Sequence, residues 1–152
     1  MGRLSDKLIQ SGTVGLDTSV FIYHFEAHPR YSALTQESLR GMEKGIWAGV
    51  TSTITLMEIN VRPWQLENSE IARKYEALLV NFPNLTILDV DRDIARLAAQ
   101  LRARFKLRPP DALQVGTALY GGAKAFLTND KRLSTLRNLL DILILDDWVS
   151  LD

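Results

Sequence analysis

The sequence contains no cysteine, which excludes disulfides, thiolate zinc sites and cysteine nucleophiles. Histidine is nearly as scarce. His24 and His28 are the two in the chain, so imidazole chemistry has few places to reside. Neither sign of charge is in excess, since 18 lysines and arginines meet 18 aspartates and glutamates. A surface that draws in polyanions from a distance is therefore excluded, and any phosphate-binding surface must be local. No apolar run approaches the about 18 residues that a membrane span needs. Met1 to Gln10 alternates polar and apolar residues without the apolar centre of a signal peptide. A cytoplasmic protein with no membrane association is expected.

What is present is a chain of 152 residues, 46% of them apolar, enough to bury a continuous core in one domain spanning 1–152. Short β-rich runs alternate with longer helical patterns. Val14 to Leu16, Ala48 to Thr51, Leu85 to Val90, Ala125 to Leu127 and Ile142 to Leu145 predict about five strands. Between them, helices are predicted over Thr18 to Phe25, Arg30 to Gly45, Thr53 to Val61 (ending before Pro63) and Ser69 to Phe82 (closed by Pro83). In Asp91 to Lys106, Ile94, Leu97, Ala98, Leu101 and Phe105 recur at helical spacing. Pro110 suits the first turn of a further helix that stops at Gly121-Gly122. Strands separated by helices imply parallel crossovers, hence an α/β sandwich with a central parallel sheet.

In open parallel sheets ligands bind beyond the carboxyl ends of the strands. Asp17 directly follows Val14-Gly15-Leu16, and Asp130 follows Phe126-Leu127-Thr128-Asn129. Glu58 lies in a predicted helix among Leu56, Met57, Ile59 and Val61, where a lone acid incurs a desolvation cost unless a cation or donor meets it. Asp111 opens a helix after Pro109-Pro110. Three of the acids also have a structural reading: Asp17 as a helix N-cap, Asp111 as a complement to the helix dipole, Asp130 as a turn residue. Brought to one face of a sheet, the four would repel one another and take up protons or a cation. All-oxygen ligands suit Mg²⁺ or Mn²⁺ and argue against zinc.

The segments Gly15-Leu16-Asp17-Thr18-Ser19-Val20-Phe21-Ile22, Met57-Glu58, Pro110-Asp111-Ala112-Leu113-Gln114 and Leu127-Thr128-Asn129-Asp130 occur in the order found in a known family. The chain resembles the PIN-domain nucleases, and among them the VapC ribonuclease toxins of type II toxin–antitoxin pairs. The resemblance implies a PIN-like three-layer sandwich with about five parallel strands flanked by helices. It also implies Asp17, Glu58, Asp111 and Asp130 as catalytic acids holding Mg²⁺ or Mn²⁺, with Thr18 and Thr128 as supporting hydroxyls. The expected reaction is endoribonucleolytic hydrolysis by a metal-activated water, and the expected partners are RNA, a small cognate antitoxin and a second copy of the chain. Arg102, Arg104, Lys106, Arg108, Lys131 and Arg132 flank Asp111 and Asp130 in sequence. They are candidate RNA-binding residues, with solvated helix ends as the alternative. Two other functions fit the same residues: a housekeeping RNA-processing PIN nuclease and a non-catalytic RNA-binding module. A phosphoacceptor receiver domain expects paired acids after the first strand, and a haloacid-dehalogenase-type phosphatase expects Asp-x-Asp; Leu16-Asp17 and Ser19 fit neither.

Overall fold

The structure, a computed structural model, describes residues 3–149. In chain order the elements are α1 (Leu4–Ser11), β1 (Thr13–Leu16), α2 (Thr18–Phe25), α3 (Ser32–Glu43), β2 (Ala48–Ser52), α4 (Thr53–Gln65), α5 (Ser69–Val80), β3 (Leu85–Leu88), α6 (Arg92–Phe105), α7 (Pro109–Tyr120), β4 (Ala125–Thr128) and β5 (Asp141–Ile144). Two 3₁₀ turns, Lys131–Leu136 and Leu145–Trp148, follow β4 and β5. All neighbouring strands pair in parallel, in the order β3-β2-β1-β4-β5. Among the described residues no helix is long and apolar enough to cross a membrane.

The side-chain alternation of the strands divides the core into two layers. Val14 and Leu16 of β1, Ala125 and Leu127 of β4 and Leu143 of β5 pack on one face with Leu4, Leu8, Phe21, Leu39, Met42 and Leu79 of the surrounding helices. Phe126 of β4 and Ile142 and Ile144 of β5 pack on the other, with Ala98 and Leu101 of α6 and Ala112, Val115 and Ala118 of α7. The sheet is thus the middle of three layers. α6 carries its own boundary signals: Asp91 accepts a hydrogen bond from the Ile94 N–H at its start (2.9 Å), and Lys106 takes a left-handed conformation (φ 56°) at its end.

Two departures from the sequence reading have local causes. The sequence of α1 presents an alternation of polar and apolar residues, yet Leu4 and Leu8, four residues apart, are both buried and fix one helical face on the core. α4 runs past Pro63 to Gln65 instead of stopping at Val61. Pro63 lies in the last turn, so its missing N–H costs the helix one internal hydrogen bond, and its ring is buried. Its own carbonyl still accepts from the Asn68 N–H (2.8 Å).

The strand order has a direct consequence for function. The chain winds outward from β1 through β2 to β3, then returns to place β4 on the opposite side of β1. Between β1 and β4 the direction of winding reverses, and there the loops at the carboxyl ends part to leave a crevice. Asp17 and Asn129-Asp130 are the residues that leave those two strands.

Candidate active site

A cleft of about 640 Å³ opens at this reversal, lined by Asp17, Glu58, Asp111 and Asp130 together with Thr18, Ser19, Arg108, Gln114, Asn129 and Lys131, among others. Four elements deliver the four acids. Asp17 is the N-cap of α2, Glu58 sits within α4, Asp111 is in the first turn of α7, and Asp130 precedes the 3₁₀ turn after β4. The capping and turn readings of Asp17, Asp111 and Asp130 therefore coexist with a place in the cleft.

Asp17 is the most confined of them. Its Oδ1 accepts from the Thr18 N–H (2.9 Å) and its Oδ2 from the Thr128 hydroxyl (2.7 Å). The Asp17 N–H continues the β1–β4 ladder to the Leu127 carbonyl (3.0 Å), which brings Thr128 alongside. Burial pushes the Asp17 carboxyl up from 3.8 to about 6; the Thr128 and Thr18 hydrogen bonds oppose the rise, and the charges of Asp111 and Glu58 add to it. Glu58 Oε1 accepts from the Thr18 hydroxyl at 2.6 Å.

The remaining two acids are met by arginine. Arg108 Nε donates to Asp111 Oδ2 (3.0 Å), and the same guanidinium reaches to 3.8 Å from Asp130 Oδ2. Arg132 clamps Asp130 with two bonds, Nε to Oδ1 (3.0 Å) and a terminal nitrogen to Oδ2 (2.7 Å). These bonds, with its charge, hold the Asp130 carboxyl below the usual carboxylate range. Of the six basic residues singled out in the sequence, Arg108 and Lys131 line the cleft and Arg132 grips an acid that does. Arg102 is tied to the Leu107 carbonyl (3.0 Å), Arg104 lies over the Phe105 ring (5.2 Å), and neither they nor Lys106 line the cleft.

Several cleft residues were not assigned a role from sequence. Gln114, 3% exposed, lies one turn beyond Asp111 on the same face of α7 and hydrogen-bonds Ser52, Thr18 and Thr55. Its signal was a lone amide inside the apolar run Ala112-Leu113-Gln114-Val115, which has to find partners if buried. Asn129 bridges Tyr23, whose hydroxyl accepts its side-chain N–H (3.3 Å), and the Asp146 N–H, which it accepts (2.9 Å). Tyr23 packs against the core and also lines the cleft, its ring stacked on Tyr31 at 4.6 Å.

The donor set suits a hard divalent cation. It is all oxygen, Asp17 is a desolvated carboxylate among other acids, and the buried Ser19 hydroxyl at the cleft has no hydrogen-bond partner within the protein. Among the described residues, no three histidine or carboxylate side chains are grouped closely enough to hold a metal ion by themselves. Mg²⁺ fits that openness, because it is held by one or two carboxylates and keeps water or phosphate oxygens for its other positions. Asp17 and Glu58 are the residues that could hold it, while Asp111 is paired with Arg108.

Fold and site together define a class: a parallel α/β protein whose ligand crevice is lined by carboxylates. Residues 14–139 match the PIN domain family, and the chain belongs to that family of nucleases. Solved structures with the same fold include VapBC2 from Rickettsia felis bound to a DNA fragment from its promoter (TM-score 0.68, 18% identity, 86% of this chain and 96% of the other). A toxin–antitoxin complex from Klebsiella pneumoniae (0.63, 20%, 88% and 97%) and DNA-bound VapBC from Salmonella typhimurium (0.60, 23%, 88% and 97%) share it as well. At these identities the likeness is one of fold. Comparison of the sequence with curated proteins gave no match.

Proposed function

We propose that this chain is a divalent-metal-dependent endoribonuclease that acts in the cytoplasm as the toxin of a toxin–antitoxin pair. The observation that carries the reading is the meeting of Asp17, Glu58, Asp111 and Asp130, from four separate elements, in one cleft, with burial raising the Asp17 carboxyl to about 6. Mg²⁺ or Mn²⁺ would supply the charge that activates water and neutralises phosphoryl oxygens. The protein's part is positional. Thr128 and the Thr18 N–H aim the Asp17 carboxylate, the Thr18 hydroxyl aims Glu58, and Arg108 and Lys131 offer cations to the RNA phosphates on the cleft rim.

The fold is that of chains found in toxin–antitoxin complexes, which supports a small protein partner for this one. The partner is expected to send a basic side chain into the cleft. The Arg108–Asp111 and Arg132–Asp130 pairs show that these acids accept guanidinium. We also expect a homodimer. On α5, Leu79 is buried in the core while Leu78 is exposed, and a larger exposed stripe runs along α4 through Met57, Val61 and Trp64.

Expression of the chain alone should arrest growth, and co-expression with its genomic neighbour should relieve the arrest. The Asp111→Asn variant should be harmless and leave RNA intact. A wild-type protein that cleaves no RNA with either cation, and is no more harmful than the variant, would sink the proposal. A second outcome concerns Arg108. With the guanidinium removed, the cation faces less competition for Asp111, so Arg108→Ala should bind Mn²⁺ about two- to fivefold more tightly, the scale of an exposed ion pair. The same variant should bind RNA more weakly, with the salt dependence of RNA affinity reduced by about one phosphate contact. Titrations of Mn²⁺ and of RNA at several salt concentrations check both halves.

A further inference from the structure

Beneath the cleft lies a chain of buried hydroxyls and one amide whose direction can be deduced from its ends. The Thr51 hydroxyl is 2.9 Å from the Leu16 carbonyl and has to donate to it, since a carbonyl only accepts. With that proton committed, the 2.7 Å contact between Thr51 and Thr55 requires Thr55 to donate. Thr55 can then only accept from Gln114, at 2.7 Å, so the amide nitrogen of Gln114 has to face it. The second N–H of that amide donates to Thr18 (3.0 Å), whose own proton goes to Glu58 Oε1 (2.6 Å), the nearer and charged acceptor, and not to the Thr55 oxygen at 3.1 Å. The Ser52 hydroxyl donates to the Gln114 carbonyl oxygen (2.7 Å), which completes the same orientation. Every buried polar atom of the Gln114 side chain is thereby satisfied.

We infer that Gln114 is a positioning residue for metal binding: with Thr51 and Thr55 it forms a polarised hydrogen-bond relay, running from the β1 backbone to Glu58, that aims the Glu58 carboxylate into the cleft. A reversed amide would present its oxygen to Thr18 and draw that proton away from Glu58. This rests on the metal-dependent reading above, and deepens it by adding a residue that acts through Thr18 on Glu58. Partners of this kind that orient ligating groups change metal affinity about 10- to 100-fold when removed.

The test is direct Mn²⁺ binding to the purified full chain, followed by electron paramagnetic resonance or calorimetry. Gln114→Met, of similar shape without the amide, should raise the Kd for Mn²⁺ about tenfold. Cleavage at saturating Mn²⁺ should change less than the Kd does. Thr18→Val should do the same, Thr18→Ser should restore binding, and the double variant Thr18→Val/Gln114→Met should be no worse than either alone. Should Gln114→Met fail to fold, Thr51→Val serves instead, because a β-branched residue of the same shape suits β2. It frees the Thr55 proton, lets the amide reverse, and should weaken Mn²⁺ binding severalfold. Wild-type affinity in Gln114→Met or Thr51→Val, or losses that multiply in the double variant, would overturn the relay alone. A wild-type chain that binds no Mn²⁺ would overturn both the relay and the metal-dependent reading.

Discussion

Replacing Asp17 by asparagine is expected to raise the melting temperature of the metal-free protein while reducing RNA cleavage by on the order of 10³-fold or more. The two effects have one origin. Burial raises the Asp17 carboxyl from 3.8 to about 6, so near neutral pH the folded chain holds an ionised group that would rather be in water. The folded state binds the proton more tightly than the unfolded one. Its contribution is therefore fully present below about pH 4 and is lost as the pH rises through about 6, leaving a deficit of roughly 3 kcal/mol at pH 7. Asparagine carries no charge to desolvate, its oxygen can still accept from the Thr18 N–H, and its amide can donate to the Thr128 oxygen. Some of the deficit returns as strained hydrogen bonding, so a net gain of about 1–3 kcal/mol is expected, a rise of several degrees for a chain of this size. The difference in stability between variant and wild type should grow between pH 4 and 7, and saturating Mn²⁺ should close it by stabilising only the wild type. Thermal melts at pH 4, 5.5 and 7, with and without Mn²⁺, measure all of this; a variant less stable than the metal-free wild type at pH 7 would refute the desolvation account.

Gly15→Ala should be among the most damaging single-atom additions in the chain. Gly15 lies in the middle of β1 on the face covered by α7, and a Cβ there would collide with Ala118 Cβ and come within 2.8 Å of the Phe126 ring. Ala118 belongs to a helix backbone that cannot swing aside, so α7 would have to lift from the sheet. Overpacking of this kind costs about 1–3 kcal/mol and at times more. Since α7 carries Asp111 and Gln114, the lift would also move two cleft residues away from β1. A melting temperature lower by about 5–10 °C and a cleavage rate reduced at least tenfold are expected. Ala118→Gly in the same chain should restore part of both by making room, despite its own helix penalty of about 1 kcal/mol. Circular dichroism melts of the single and double variants decide it. A Gly15→Ala protein as stable as wild type would show that α7 does not depend on this close approach.

Much of this was legible in the chain because local rules and the fold agree. Short β-rich runs between amphipathic stretches left little but a parallel α/β sheet, and Asp17 directly after one such run and Asp130 shortly after another pointed to the carboxyl ends of two strands. What those rules do not encode is the strand order, a tertiary outcome, and it is the order that puts β4 beside β1 and joins the two ends into one cleft. α1 escaped notice because eight residues hold a helix only through Leu4 and Leu8 on the core. The basic segment from Arg102 to Arg108 reads as one patch, yet the apolar stripe of α6 faces α7 and only Arg108 is carried to the cleft. Gln114 stands out in the chain as a lone amide in an apolar run, but its partners Ser52, Thr55 and Thr18 lie far from it in sequence and local rules do not supply them. The arginines on Asp111 and Asp130 are of the same kind: the acids could be located from the chain, but not which of them already holds a cation of its own.

The most direct test of the central claim is cleavage of an end-labelled single-stranded RNA by the purified chain as Mn²⁺ is titrated in. Cleavage that is absent in chelator, rises to saturation with Mn²⁺ and is lost in Asp17→Asn is the predicted result. Cleavage that persists in chelator, or that Asp17→Asn retains at wild-type rate, would contradict the assignment of this cleft as a metal-dependent nuclease centre.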